Sequence, residues 1–477
     1  MSFNDWEVVI GLEIHAQLNT QSKMFSPDSA SFGGADNEHV STVSLGMPGA
    51  LPVINRMAVE SSVKTGLALG CSIRERSVFA RKNYFYPDLP KGYQISQFDE
   101  PLCEEGRVTY FLNGEKKSVR IERAHMEEDA GKSTHFGDYT LINLNRAGVP
   151  LLEIVSGPDM RSPQEAAEYA RTVRTILRYL DVCDGNLEEG SMRCDCNISI
   201  RKKGETKLGT KVELKNINSF RFIEKALEYE IQRQIDSVEA GQAIVQETRL
   251  FDSTKNITLA MRSKENAHDY RYFPDPDLLP VVVTKEWIEK IRSSLPELPL
   301  QMANRFETAY GLPQYDSLVL TQERDVAQYF ETAAKASGNP KAASNWIMGE
   351  LLRNLNEEKK EIKDSPISPD NLAEMLKLID DNTISGKMAK NVFQEMWKSG
   401  KKASALVKDL GMAQITDIGA IEKLVDEVIA ANPGQTEQYR SGKTKLFGFF
   451  VGQSMKASGG QANPELLNQV LTKKLQG

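Results

Sequence analysis

The opening of the chain alternates without a break. Trp6, Val8, Ile10, Leu12, Ile14, Ala16 and Leu18 fall on one side, and Glu7, Val9, Gly11, Glu13, His15 and Gln17 on the other. A period of two is that of a strand with one buried face. Glu13, His15 and Gln17 therefore project side by side from a single sheet surface. A second alternating run buries Met192, Cys194, Cys196, Ile198 and Ile200 and turns Arg193, Asp195, Asn197 and Ser199 outward. A third, near Lys211–Lys215, sets Lys211, Glu213 and Lys215 against Val212 and Leu214. A fourth, Leu151–Val155, is apolar except for Glu153 in its middle.

Elsewhere the period lengthens to about 3.6 residues, that of an amphipathic helix. Ser162-Pro163-Gln164-Glu165 has the form of a capping box with proline in the first turn. Ala166, Ala170, Val173, Leu177 and Leu180 then form one stripe. Ser219 opens another helix, with Ile223, Leu227, Ile231 and Ile235 inward and Gly241 as its stop. Ile347, Leu351, Leu352 and Leu355 predict a third helix, and Ser368-Pro369 starts a fourth. Strands and helices do not alternate regularly, so the pattern predicts an α+β fold and not a doubly wound sheet. The Pro-rich stretch Leu295–Pro299 reads as a boundary. Three domains follow: a mixed one over 1–294, a helical one over 295–409 and a smaller helical one over 410–477.

Composition narrows the class. The chain has 477 residues, beyond what a single core usually serves, with 40% hydrophobic and 26% charged residues. No apolar run approaches the ~20 residues of a membrane span, and the first residues do not have the basic-then-apolar form of a signal peptide. No membrane association is expected. Five scattered cysteines fit a reducing compartment, so the cytoplasm is the expected location. A net charge of −7 excludes a wholly basic nucleic-acid coat and leaves only local basic patches for phosphate contact.

Glu13, His15, Glu128, Glu153 and Asp195 all sit on strands or strand ends. Carboxylates with one imidazole suit Mg²⁺ or Mn²⁺; the same residues could equally be surface acids paired with Arg and Lys. Glu127-Glu128-Asp129 are three consecutive acids before a glycine, a repulsive arrangement eased by a cation or by solvent. Gly131-Lys132-Ser133 is no phosphate loop, because Met126 stands where the motif requires glycine. The segment Arg81–Tyr93 interleaves cations, tyrosines and prolines, which suits a phosphate- or nucleotide-bearing ligand or simply a rigid aromatic loop. Cys194 and Cys196 fall on an apolar face and lack zinc spacing, so they read as core thiols. From Arg440 to Pro464 there are four cations and no acid, a patch fit for nucleic-acid phosphates or for plain solvation.

Several of these segments together resemble a known family. They are Val9–Leu18, Arg81–Asp88, His125–Lys132, Asn145–Val155, Glu189–Asp195, Glu213–Ser219, Asp269–Pro274 and Lys456–Pro464, in that order along the whole chain. The sequence is similar to the aspartyl/glutamyl-tRNA amidotransferase B subunits. The resemblance implies an antiparallel-sheet cradle domain like that of glutamine synthetase and the guanidino kinases, followed by helical domains that hold tRNA. It implies an ATP-dependent carbon–nitrogen ligase: Mg-ATP phosphorylates the side-chain carboxylate of Glu-tRNA(Gln) or Asp-tRNA(Asn), and ammonia displaces the phosphate. A glutaminase A subunit would supply the ammonia, and a small C subunit would complete a heterotrimer.

The resemblance also implies site roles. Glu13, His15, Glu128 and Glu153, with Asp195, would hold the metal. Arg193 and Lys215 would contact the nucleotide. Lys82, Lys91 and Glu128 would serve catalysis near the exit of the ammonia path. Some relatives carry paired cysteines for zinc where this chain has Ser26, Ser41 and Ser44, so no zinc is expected. The alternative is a non-catalytic tRNA-binding scaffold of the same complex; the acids and His15 argue against it, since a scaffold needs no anionic pocket.

Overall fold

The computed structural model describes residues 5–263, 270–411, 414–415 and 417–476. Asp269, which opens one of the family segments, lies outside them, as do the first four residues. The chain folds as two compact units, Met1–Met302 and Ala303–Gly477.

The first unit is built on a sheet of twelve strands among the described residues. The opening strand, Trp6–Gln17, lies at its centre between Pro150–Ser156 and Met192–Lys202, antiparallel to both. Glu115–Glu128 pairs antiparallel with Pro150–Ser156 on the far side. The apolar face repeats the alternation of the sequence: Ile10, Leu12 and Ile14 are almost wholly buried. Each such side chain contributes about 1.5–3 kcal/mol relative to exposure. Helices Arg56–Ala68, Pro163–Tyr179 and Phe220–Glu239 supply the rest of that core through residues such as Val63, Val173 and Ile231.

Three local expectations need correction. The sheet is mixed, because Val212–Lys215 and Glu247–Asp252 run parallel. The helix Phe220–Glu239 lies between them in sequence, and a parallel pair needs such a crossover. Ser162 caps its helix by accepting from the Glu165 N–H at 3.1 Å, but the Glu165 carboxylate accepts from the Arg161 N–H at 2.7 Å. The reciprocal half of the box is thus displaced by one residue. The helix expected across Ile347–Leu355 is broken by a π-turn over Ile347–Leu351, where the Leu352 N–H reaches back to the Ile347 carbonyl. The wider turn still buries Ile347, Leu351 and Leu355, while Leu352 stays half-buried.

The second unit is helical. Arg324–Ser337 packs on Pro369–Asp380, and near the C-terminus Ile418–Ala431, Phe447–Ala457 and Pro464–Gln476 enclose their own apolar cluster of Ile421, Val425, Phe450, Leu467 and Leu471. None of the described helices is long and apolar enough to cross a membrane.

Candidate active site

Strand register assembles the site. Glu13 stands opposite Asp195, His15 opposite Glu153 on one side and Arg193 on the other, and Glu153 opposite His125. All project from the sheet face away from the helical core. The His15 imidazole becomes the centre: Nδ1 lies 3.5 Å from Glu127 and 3.7 Å from Glu153, and Nε2 lies 3.7 Å from Asp195. Glu13 accepts from Asn197 Nδ2 at 2.8 Å. Two sets of donor atoms lie close enough to share a cation, Glu13–His15–Asp195 and His15–Glu127–Glu153. Carboxylate oxygens with one imidazole and no thiolate fit a hard divalent ion. The thiols of Cys194 and Cys196 point into the core instead.

The structure brings Glu13, His15, Glu153 and Asp195 together and adds Glu127, which the sequence reading passed over. It does not bring Glu128. That carboxylate lies on the opposite side of its strand, accepts from the Ile95 N–H at 2.9 Å and is paired with Lys91. The two lysines also part company. Lys82 lines the acidic cleft, its Nζ 4.9 Å from the ring centre of Tyr270 and 5.8 Å from that of Tyr84. Lys91 and Glu128 line a separate cavity of about 190 Å³ with Lys23 and Asp129. Gly46 closes against Lys91 at φ +65°, and a Cβ there would sit 2.6 Å from Lys91 Cγ, so both conformation and space require glycine.

Lys215 reaches the cleft, pairs with Asp195 and lies 3.5 Å from Glu213. Glu213 is itself fixed by the Thr248 hydroxyl at 2.8 Å. Arg193 is turned to Asp129 at 2.9 Å, and Gln17 donates to the same carboxylate at 2.8 Å. Arg193 therefore braces the turn after Glu128.

The charges are strongly coupled. Burial disfavours a charged His15, yet Glu153, Asp195 and Glu127 outweigh it and hold its pKa well above the usual imidazole value. For His125 burial wins, and its pKa falls. Burial would raise the Asp195 carboxyl, but Lys215 and His15 hold it below the usual range. Burial would lower Lys82, but Glu127, the phenol groups of Tyr272 and Tyr84, and Glu153 outweigh it and raise its pKa. The cleft, about 510 Å³, thus has an anionic floor and a cation at each side. It can bind a metal–phosphate group on the floor and present a lysine to a second anion.

The serines that stand in the zinc segment are occupied differently. Asp28 accepts from the Ser41 N–H at 2.9 Å, the Ser26 hydroxyl at 3.0 Å and the Ser44 hydroxyl. One carboxylate gathers this loop.

Comparison with known proteins agrees with the family resemblance. A family model described as the GatB/GatE catalytic domain matches residues 8–289, and one described as the GatB domain matches 328–475. A protein of Bdellovibrio bacteriovorus, named as the B subunit of an aspartyl/glutamyl-tRNA(Asn/Gln) amidotransferase, is 64% identical over 100% of both chains. Proteins of the same name from Syntrophotalea carbinolica and Thermodesulfovibrio yellowstonii are each 57% identical, over 99% and 98% of this chain and 99% of their own. Since the catalytic-domain match covers every residue that lines the acidic cleft and the first of these relatives aligns over the whole of both chains, the chain belongs to the family of aspartyl/glutamyl-tRNA(Asn/Gln) amidotransferase B subunits.

Proposed function

We propose that this chain activates and amidates the side-chain carboxylate of Glu-tRNA(Gln) or Asp-tRNA(Asn) in a cytoplasmic heterotrimer with a glutaminase A subunit and a C subunit. The observation that carries the reading is the ring of four carboxylates around His15, flanked by Lys82 and Lys215. The first unit acts as a cradle of the kind found in glutamine synthetase and the guanidino kinases.

The chemistry asks for this arrangement. A carboxylate does not react with ammonia because its oxygen leaves poorly; transfer of the ATP γ-phosphoryl group turns that oxygen into phosphate. Held by one of the two sets, Glu13–His15–Asp195 or His15–Glu127–Glu153, with His15 giving up its proton, Mg²⁺ (or Mn²⁺) would neutralise charge on the phosphoryl oxygens. Lys215 holds nucleotide phosphate, positioned by Asp195 and Glu213. Lys82, steadied over Tyr270 and Tyr84, orients the substrate carboxylate and then the acyl phosphate. Lys91 and Glu128 act from the separate cavity on the ammonia side, where the Glu128 carboxylate takes a proton from incoming ammonium; the proton shed when the C–N bond forms leaves with the departing phosphate. The reading includes no structural zinc, since hydrogen bonds to Asp28 already hold the serine loop.

The test is interception. With ATP, Mg²⁺ and glutamylated tRNA(Gln), added hydroxylamine would capture the acyl phosphate as a tRNA-bound hydroxamate. Hydroxamate that forms equally well without ATP would refute the activated intermediate.

A further inference from the structure

The cleft has an aromatic wall that the acidic floor does not explain. Phe98 and Tyr272 stack face to face at 4.2 Å with 5° between their planes. Both rings line the cleft, and Phe98 is 43% exposed. A large apolar ring left half in water at the mouth of a polar cleft leaves binding surface uncovered.

The wall is also held rigid. Arg271, between Tyr270 and Tyr272, has φ +48°, a left-handed conformation unfavourable for a residue with a side chain. Asn83 Nδ2 offsets this by donating to the carbonyls of Tyr270 and Arg271 at 3.2 and 3.1 Å. Just beyond, Arg81 donates to Asp275 and Asp277, each at 2.8 Å, while its guanidinium stacks 4.2 Å from the centre of the Tyr93 ring. Asn83 and Arg81 thus fasten the segment around Tyr272, with the strand Phe273–Pro274 that follows it, to Ala80–Asn83 from one face, leaving Lys82 to point into the cleft from the other. Preorganised aromatic surface lowers the entropy lost when a planar ligand lands on it.

We propose that the open face of the Phe98–Tyr272 stack seats an adenine base. A ligand that spans the cleft must carry a metal-bound phosphate for the acidic floor or a carboxylate for its lysines, and a flat π-surface for the wall. Adenosine phosphates do so, and so does a 3′-terminal adenosine esterified with Glu or Asp. ATP and the tRNA acceptor end are thus two sources of one chemistry, and the inference rests on the function proposed above.

The experiment compares wild type with Phe98→Leu, which keeps apolar bulk, and Phe98→Trp, which keeps an aromatic face. Two affinities are measured on the full chain: for Mg-ATP, and for a short acceptor-stem RNA ending in a stable 3′-glutamylamide. Loss of one stacked base predicts about a 5- to 150-fold weakening of one ligand in Phe98→Leu, with wild-type affinity in Phe98→Trp. The ligand that weakens identifies the source of the adenine. Etheno-ATP supplies a second reading on unaltered protein if ATP is that source, since stacking quenches its fluorescence. Wild-type affinity for both ligands in Phe98→Leu, or equal losses in Phe98→Leu and Phe98→Trp, would overturn the seat. Neither result touches the floor: the reading on which the seat rests fails separately, if tRNA-dependent ATP turnover survives Glu127→Gln.

Discussion

Glu127 and Glu128 are adjacent, chemically identical and each about 4% exposed, yet they face different chambers. Loss of each carboxylate should therefore have a different effect. Glu128→Gln removes the partner of Lys91 and leaves the floor intact. ATP turnover stimulated by tRNA should persist in that variant, while amide formed per ATP consumed falls; measuring both products in one reaction checks this, and equal losses of both would contradict it. The parity that separates the two residues was hidden in the sequence. Val119 and Ile121 are buried on the core face, and simple alternation from them would send Glu128, not Glu127, toward the site. The register shifts between Val155 and Ser156 where they meet Arg123 and Ile121, so the core face passes to Ala124 and Met126. A bulge flips every side chain beyond it, and no residue type in this stretch announces one. Glu13, His15 and Asp195 were legible because their strands alternate, and Glu153 because it is the one charge in an apolar strand.

At the scale of elements, loops are tied to the sheet by single polar side chains. Lys23 is fully buried, and its Nζ donates to the His39 carbonyl at 2.6 Å and the Leu144 carbonyl at 3.2 Å, joining two loops beside the Lys91–Glu128 cavity. Burial lowers its pKa from 10.5 to about 8, against the pull of Asp28 and Glu128. Between those values the unfolded chain keeps a proton that the folded chain has released. The group's contribution to stability therefore rises with pH across that window, is least favourable below about 8 and is flat above 10.5. In urea unfolding, the difference between wild type and Lys23→Met should shift in favour of wild type from pH 8 to pH 10; a difference independent of pH would refute the buried cation. The sequence offers no sign of this lysine's burial. The parallel pair was likewise missed because alternation gives a strand's faces and says nothing of its direction. The strand–helix–strand order from Val212 to Asp252 was the available signal.

For the whole molecule, a net charge of −7 must be reconciled with an RNA substrate. The C-terminal patch is the place we assign. Arg440 is partly engaged, its guanidinium directed to the carbonyls of Leu475 and Lys474 at 3.3 Å, whereas Lys443, Lys445 and Lys456 are exposed. Changing these three lysines to Glu should weaken tRNA binding and reduce its salt dependence by about one unit of slope per lysine that meets a phosphate. Mg-ATP affinity should not change. An unaltered salt slope would remove the patch from the tRNA path. Composition could exclude a basic coat, but only the helical ends of the tail show which cations are spoken for.

We assign phosphoryl transfer to the acids around His15. The most direct measurement is ATP hydrolysis by the assembled A, B and C subunits, with and without Glu-tRNA(Gln), for wild type and Glu127→Gln. Loss of one floor carboxylate should lower tRNA-stimulated turnover by at least ~100-fold, beyond the usual effect of an outer-shell residue, while the complex still assembles and binds tRNA. Stimulation that survives Glu127→Gln would place the chemistry elsewhere and return the chain to the role of a tRNA-binding scaffold.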